Sequence, residues 1–268
     1  MHIIMMPSHC SIPDLVIKPK DLPTLGCISR ATNDYLGSFE ACIKDKNILC
    51  IGYSESEIET YVANLKPKSV TCLTYWEGHR DAAISKYPLV IGDITKKTKF
   101  EDGAFDAVVS LAVLEHLGDV RAGLQEMKRI TRHGGDVLVQ FGPAWSSPYG
   151  HHLYAKAGDT HLDFTSWQMP AFIHLLCSRE DIEQFYLANG YSRSDVNSVL
   201  QWFYEADHIN RVMYDDYLAA FVEYFQIQSI EHMSSDIPDY LLEILRKKYY
   251  PYKDFSSYGG KYWLKVIK

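Results

Sequence analysis

From residue 47 onward the chain alternates between two hydrophobic patterns. NILCIG, residues 47–52, is a short apolar run closed by glycine, as expected of a strand buried on both faces. SEIETYVANLK (56–66) then places apolar residues at helical spacing. SVTCLTY (69–75), PLVIGD (88–93), FDAVVSLAV (105–113) and DVLVQFG (136–142) read as further strands. HRDAAISKY (79–87) reads as a short helix, and VRAGLQEMKRITRHGG (120–135) as an amphipathic one stopped by Gly134 and Gly135. Strands alternating with helices predict a parallel sheet wound by right-handed crossovers.

The alternation fails over 143–211, where His, Trp and Tyr are dense, and a mostly helical lid is expected there. It resumes with a helix in MYDDYLAAFVEYF (213–225), a strand in QIQSIEHM (226–233), a helix in PDYLLEILRKKY (238–249) and a strand in KYWLKVIK (261–268). The last two strands are expected as an antiparallel pair at one sheet edge. Residues 1–46 lack periodicity, and IPDLVIKPKDLPTL within them carries three prolines. This arm is expected to pack over the main domain or over a partner chain, as in a homodimer. The predicted division is an arm (1–46), an α/β core (47–142 and 212–268) and a lid (143–211).

The formal charge of −7 over 268 residues, with no run of Lys or Arg longer than three, argues against non-specific binding to nucleic acid or to an anionic membrane. No apolar stretch approaches the roughly 20 residues of a membrane span, and MHIIMMPSHCSIPDL lacks the basic and apolar regions of a signal peptide. The six cysteines form no CxxC pair, and Cys50 and Cys72 fall inside apolar strands. A reducing, cytoplasmic setting is expected.

The first strand-to-helix turn, Gly52-Tyr53-Ser54-Glu55-Ser56, bears on cofactor choice. Glu55, Glu57 and Glu59 bring negative charge to the start of the helix. A pyrophosphate seated there would be repelled, whereas a zwitterionic amino acid end would not. This disfavours NAD and ATP.

Residues 88–142 resemble the class I S-adenosylmethionine-dependent methyltransferases, in particular those acting on small molecules. The matching parts are GD after the third strand, FDAVVS, the following LEH, and GLQEMKRITRHGG with its strand. Agreement over 47–87 and 213–268 is fainter. The resemblance implies an α/β, Rossmann-like, seven-stranded, mostly parallel sheet with an antiparallel edge strand, plus the helical lid after strand five. It implies S-adenosylmethionine across the carboxyl ends of strands one to four. Gly52, Tyr53 and Ser54 would line its methionine end, and Thr74, Tyr75, Trp76 and Glu77 would flank the ribose. Asp93 would accept from the adenine amino group, with Ile94 against the ring and Leu111 under the cofactor.

The chain departs from that family at Cys50, at the glycine-poor turn, and at Thr74, where an acid usually takes both ribose hydroxyls. Losing a charged acceptor costs about 1.5–3 kcal/mol, or one to two decades in affinity.

The acceptor is expected to be a small molecule such as a sugar, a nucleotide sugar or a secondary metabolite. Methyl transfer needs alignment, a dry site and often a base. His116, in LEH, and His151 and His152, in the loop after strand five, are the candidates. The alternative for His116 is that Glu115-His116 stabilises the next helix. For the histidine pair the alternative is a polar contact without chemistry. A metal site from His151, His152, His161, Asp163 and His174 fits no compact ligand spacing, so none is expected. Arg211 could clamp an anionic acceptor or lie in a surface ion pair. The aromatic residues Trp145, Trp167 and Trp202 suit a sugar-binding surface or an ordinary core. Two competing functions stay open: the fold repurposed for another reaction or silent binding, and a structural subunit.

Overall fold

The computed structural model describes residues 36–52, 55–75, 86–157, 160–164 and 170–267. The arm as far as residue 35, most of the helix expected over 79–87, and Tyr53, Ser54, Trp76, Glu77 and Trp167 lie outside them.

In chain order the described elements begin with α1 (Glu40–Ile43), β1 (Asn47–Ile51), α2 (Glu55–Tyr61), β2 (Ser69–Thr74), β3 (Leu89–Ile91) and β4 (Phe105–Leu111). Next come α3 (Val120–Ile130), β5 (Thr131–Phe141), β6 (Tyr154–Ala157), β7 (Thr160–Asp163), α4 (Ile173–Leu176), α5 (Arg179–Ala188) and α6 (Arg193–Tyr204). The chain closes with α7 (Tyr214–Tyr224), β8 (Gln226–Ser234), α8 (Asp239–Lys248) and β9 (Ser257–Lys265).

Seven strands form one sheet in the order β3-β2-β1-β4-β5-β9-β8. The pairs β1–β2, β1–β4, β2–β3 and β4–β5 are parallel, and β5–β9 is antiparallel. This is the Rossmann-like architecture expected from the sequence, with β8 at the edge beside β9. The central strands are apolar because both of their faces are covered. Ile48, Leu49, Cys50, Ala107, Val108, Val109 and Leu138 are all fully buried. Cys50 lies in register with Cys72, and both are free thiols. Burial pushes the Cys50 thiol well above its ordinary value, so it acts as a small apolar group.

The helix between β4 and β5 begins where Asp119 accepts from the Ala122 N–H at 2.9 Å. It buries Val120, Leu124, Met127 and Ile130 at helical spacing. It ends earlier than expected. Thr131, not Gly134, is its C-cap, and 131–135 already belong to β5. The Thr131 hydroxyl donates to Met127 O at 2.7 Å, which closes the last turn, and β-branched Thr131 then pairs with Phe105.

The described residues fall into two compact units: 36–142, 216–232 and 260–267, which carries the sheet, and 143–215 with 233–259. The second differs from the expected lid. It includes 233–259, because α8 sets Leu241 and Leu245, with Phe255, into the same core as Val199 and Phe203. It also contains an antiparallel hairpin, β6–β7, in a segment expected to be mostly helical. Its helices α5 and α6 both open with capping boxes, at Ser178/Asp181 and Ser192/Asp195.

Candidate functional site

Four strand ends lie level along one edge of the sheet. Ile51 is in register with Leu73 and with Ser110, and Thr74 with Ile91. One residue further, Gly52 N–H donates to Leu73 O, Gly92 N–H to Thr74 O and Ala112 N–H to Gln140 O, each at 2.8 Å. Beyond that step the strands separate into loops. Open α/β sheets bind ligands outside such carboxyl ends.

Gly52 takes φ +78°, a conformation costly for any other residue, and a Cβ there would lie 2.8 Å from Val113 Cγ2. The missing side chain therefore lets the end of β1 approach the loop after β4. That loop turns at Ala112, also left-handed at φ +53°.

Asp93 follows β3. Its Oδ1 accepts from the Thr95 N–H at 2.9 Å and from the Thr95 hydroxyl at 2.7 Å, and Lys96 Nζ is 3.3 Å from Oδ2. Partial burial raises the carboxyl, but the Thr95 bonds and the Lys96 charge outweigh it and hold Asp93 below the usual carboxylate range. Asp93 is an ionised, pre-positioned acceptor.

The other sequence candidates fall unevenly around this edge. Thr74 ends β2 but is buried, while Tyr75 is 75% exposed. Ile94 is buried and would stand 3.9 Å from a Cβ on Gly123 of α3, so its side chain faces the core. Leu111 ends β4, partly buried against the cluster of Ile48 and Cys50. Of the glutamates near the first turn, Glu59 is already engaged, accepting from Lys86 Nζ and from the Tyr87 hydroxyl, each at 2.7 Å.

The LEH segment forms a 3₁₀ turn in which His116 is exposed and Glu115 buried. The N-cap of the next helix is Asp119, not Glu115. Its Oε1 accepts from the Gly142 N–H, and Oε2 is buried without a partner. Burial drives the Glu115 carboxyl upward. The sequence marked Glu115 as polar but gave no sign of its burial.

In the second unit His151 and His152 are both buried. His152, at φ +47°, sets Nδ1 3.0 Å from Gly150 O. Leu153 N–H donates to His151 Nδ1 at 3.0 Å. His174, a member of the disfavoured metal set, stacks edge-on to His151 with ring centroids 5.1 Å apart. Arg211 donates to Phe203 O at 3.0 Å and Ala206 O at 3.3 Å and lies over Trp145, and it forms no ion pair among the described residues. Trp145 and Trp202 pack against the core of this unit. Among the described residues no group of three or more His, Cys, Asp or Glu is arranged to hold a metal, and no helix is long and apolar enough to cross a membrane.

The sheet order and this edge define the class I S-adenosylmethionine-dependent methyltransferase fold. Residues 49–139 match the family model described as a methyltransferase domain, and over this segment the chain is similar to that family. A demethylmenaquinone methyltransferase of Mycolicibacterium gilvum is 46% identical over 57 residues, 21% of this chain and 25% of that protein. One of Corynebacterium efficiens is 33% identical over 116 residues, 39% of this chain and 50% of that protein. The chain thus spans half or less of the curated relatives it matches. Among solved structures, a SAM-dependent methyltransferase from Archaeoglobus fulgidus has a TM-score of 0.51 at 12% identity, covering 90% of this chain and 94% of its own. The [4+2]-cyclase SpnF has a TM-score of 0.52 at 12% identity, covering 98% of this chain and 88% of its own. At such identities these likenesses show the fold alone.

S-adenosylmethionine is the cofactor that the family implies. The described residues fit it at Gly52, where the backbone is bare, and at Asp93, where an ionised acceptor waits. They fit it poorly at Thr74, which is buried and uncharged where the resemblance implies a carboxylate.

Proposed function

We propose that this chain transfers the methyl group of S-adenosylmethionine to a small molecule. The observation that carries the reading is Asp93, ionised and held by Thr95 just past β3. When bound, the cofactor supplies a methyl group already activated on a sulfonium, so the protein's share is alignment and exclusion of water.

In this reading Gly52 leaves room for the amino acid end, with Tyr53 and Ser54 beside it. Asp93 accepts from the adenine amino group, with Ile94 and Leu111 as apolar neighbours. Thr74, Tyr75, Trp76 and Glu77 flank the ribose, where Thr74 contributes least. His116, exposed after β4, and the buried His151 and His152 are the candidate acceptor-binding or proton-accepting groups. The curated relatives are named for demethylmenaquinone, which supports a small-molecule acceptor over a macromolecule. A cytoplasmic protein acting alone or as a homodimer fits this reading.

One observation favours a second reading. The same fold serves a [4+2]-cyclase, so architecture does not fix the reaction. Thermal shift with S-adenosylhomocysteine, on the native chain and on Asp93→Ala, separates the cases. A shift of the native chain that is much reduced in the variant supports the cofactor site. Incubation with S-adenosylmethionine and acceptor candidates then tests transfer through release of S-adenosylhomocysteine.

A further inference from the structure

Two of the buried histidines of the second unit, His151 and His174, leave one donor and one acceptor unmatched. His151 Nδ1 accepts from the Leu153 N–H at 3.0 Å, so the proton of its neutral ring sits on Nε2. His174 Nε2 is 2.8 Å from Trp145 O, a carbonyl that can only accept, so its proton sits on Nε2 and Nδ1 is a bare lone pair. Both side chains are buried, at 0% and 8% exposure. Among the described residues His151 Nε2 and His174 Nδ1 have no hydrogen-bond partner, although the rings lie only 5.1 Å apart. The Oγ of Ser147, from the same loop as His151, is buried and unpaired as well. Buried polar groups in native proteins are almost always paired, so an unpaired donor beside an unpaired acceptor points to a missing group that can serve both.

A hydroxyl is such a group, since it accepts through its oxygen and donates through its hydrogen. The surroundings favour a hydroxyl on an aromatic ring. Phe203 lies 4.7 Å from the His151 ring, Tyr149 6.1 Å from it, and Trp145 4.6 Å from the His174 ring. Flat apolar neighbours suit a flat apolar body. Burial also lowers His151 well below its ordinary value and His174 to about 4, so both rings stay neutral near pH 7 and keep this pattern.

We propose that His151 and His174 together hold one phenolic hydroxyl, His151 Nε2–H donating to its oxygen and His174 Nδ1 accepting from its hydrogen. Identifying this hydroxyl with the methyl acceptor rests on the proposed function; the binding itself does not.

The test is two-bond ¹H–¹⁵N NMR of the full chain with labelled histidine, titrated with 2-naphthol and with 2-methoxynaphthalene. The expected result is two neutral rings protonated on Nε2, with 2-naphthol shifting both His151 Nε2 and His174 Nδ1. The methyl ether, which cannot donate, and the His174→Phe variant should each weaken binding by about tenfold, the loss of one such hydrogen bond. In His174→Phe, an unchanged His151 tautomer reports an intact fold. Equal responses to both compounds, no response to either (as for a resident water), or a different tautomer at either ring would overturn the proposal. Failure to bind S-adenosylhomocysteine while 2-naphthol still shifts both rings would sink the proposed function and leave this site standing.

Discussion

Glu115 and Gly142 are joined across the carboxyl edge of the sheet: the Gly142 N–H donates to Glu115 Oε1 at 3.2 Å. The bond ties the turn after β4 to the end of β5. It does so with a carboxyl whose other oxygen is buried and unpaired, and whose pKa burial raises. The folded chain therefore binds this proton more tightly than the unfolded chain does. The contribution of Glu115 to stability is complete below about 4.5, the ordinary glutamate value, and is lost as pH rises through the folded-state pKa. Glu115→Gln, which keeps an acceptor without a charge, should cost little at pH 4.5 and gain stability relative to the native chain at pH 7.5. Urea denaturation at the two pH values checks this, and a constant difference between the proteins would contradict it.

His174 predicts the opposite slope. Its folded-state pKa is lowered to about 4, so the unfolded chain takes up the proton first as pH falls. The stability present above pH 6.5 should be lost between 6.5 and 4, by an amount on the order of 3 kcal/mol for this residue. His174→Phe should flatten the stability profile in that window, measured by chemical denaturation across pH.

Gly52 predicts a backbone effect. Gly52→Ala forces a Cβ onto a left-handed residue and against Val113 Cγ2. The cost should be about 1–2 kcal/mol from the conformation alone, with cofactor affinity falling in parallel. Adding Val113→Ala should relieve the contact but not the conformational part. Melting temperature and calorimetric affinity of the single and double variants separate the two contributions.

The sheet was legible in the sequence because each central strand is a short apolar run bounded by Gly, Asp or turn residues. The place of Asp93 after β3 also followed from that pattern, whereas its binding role was implied only by the resemblance. The end of α3 was misplaced because Gly134 and Gly135 signal a helix stop more loudly than Thr131, which in fact closes the last turn. The hairpin β6–β7 was missed among histidines and tyrosines that carry no strict alternation. The membership of α8 depends on which core its Leu241 and Leu245 enter, and periodicity gives a face but not its partner. Glu115 and the pairing of His151 with His174 were hidden for a similar reason. Burial of a polar side chain is a property of what folds over it, and residues 151 and 174 meet only through the packing of that unit.

The edge holding Gly52 and Asp93 is proposed to bind S-adenosylmethionine despite Thr74. Isothermal titration of the native chain and of Asp93→Asn with S-adenosylhomocysteine tests it most directly. Saturable one-to-one binding by the native chain is expected. Binding at least about tenfold weaker is expected in Asp93→Asn, where a neutral amide oxygen replaces the charged acceptor, with both proteins folded. No heat from the native chain at millimolar ligand, or equal affinity in the two proteins, would contradict it.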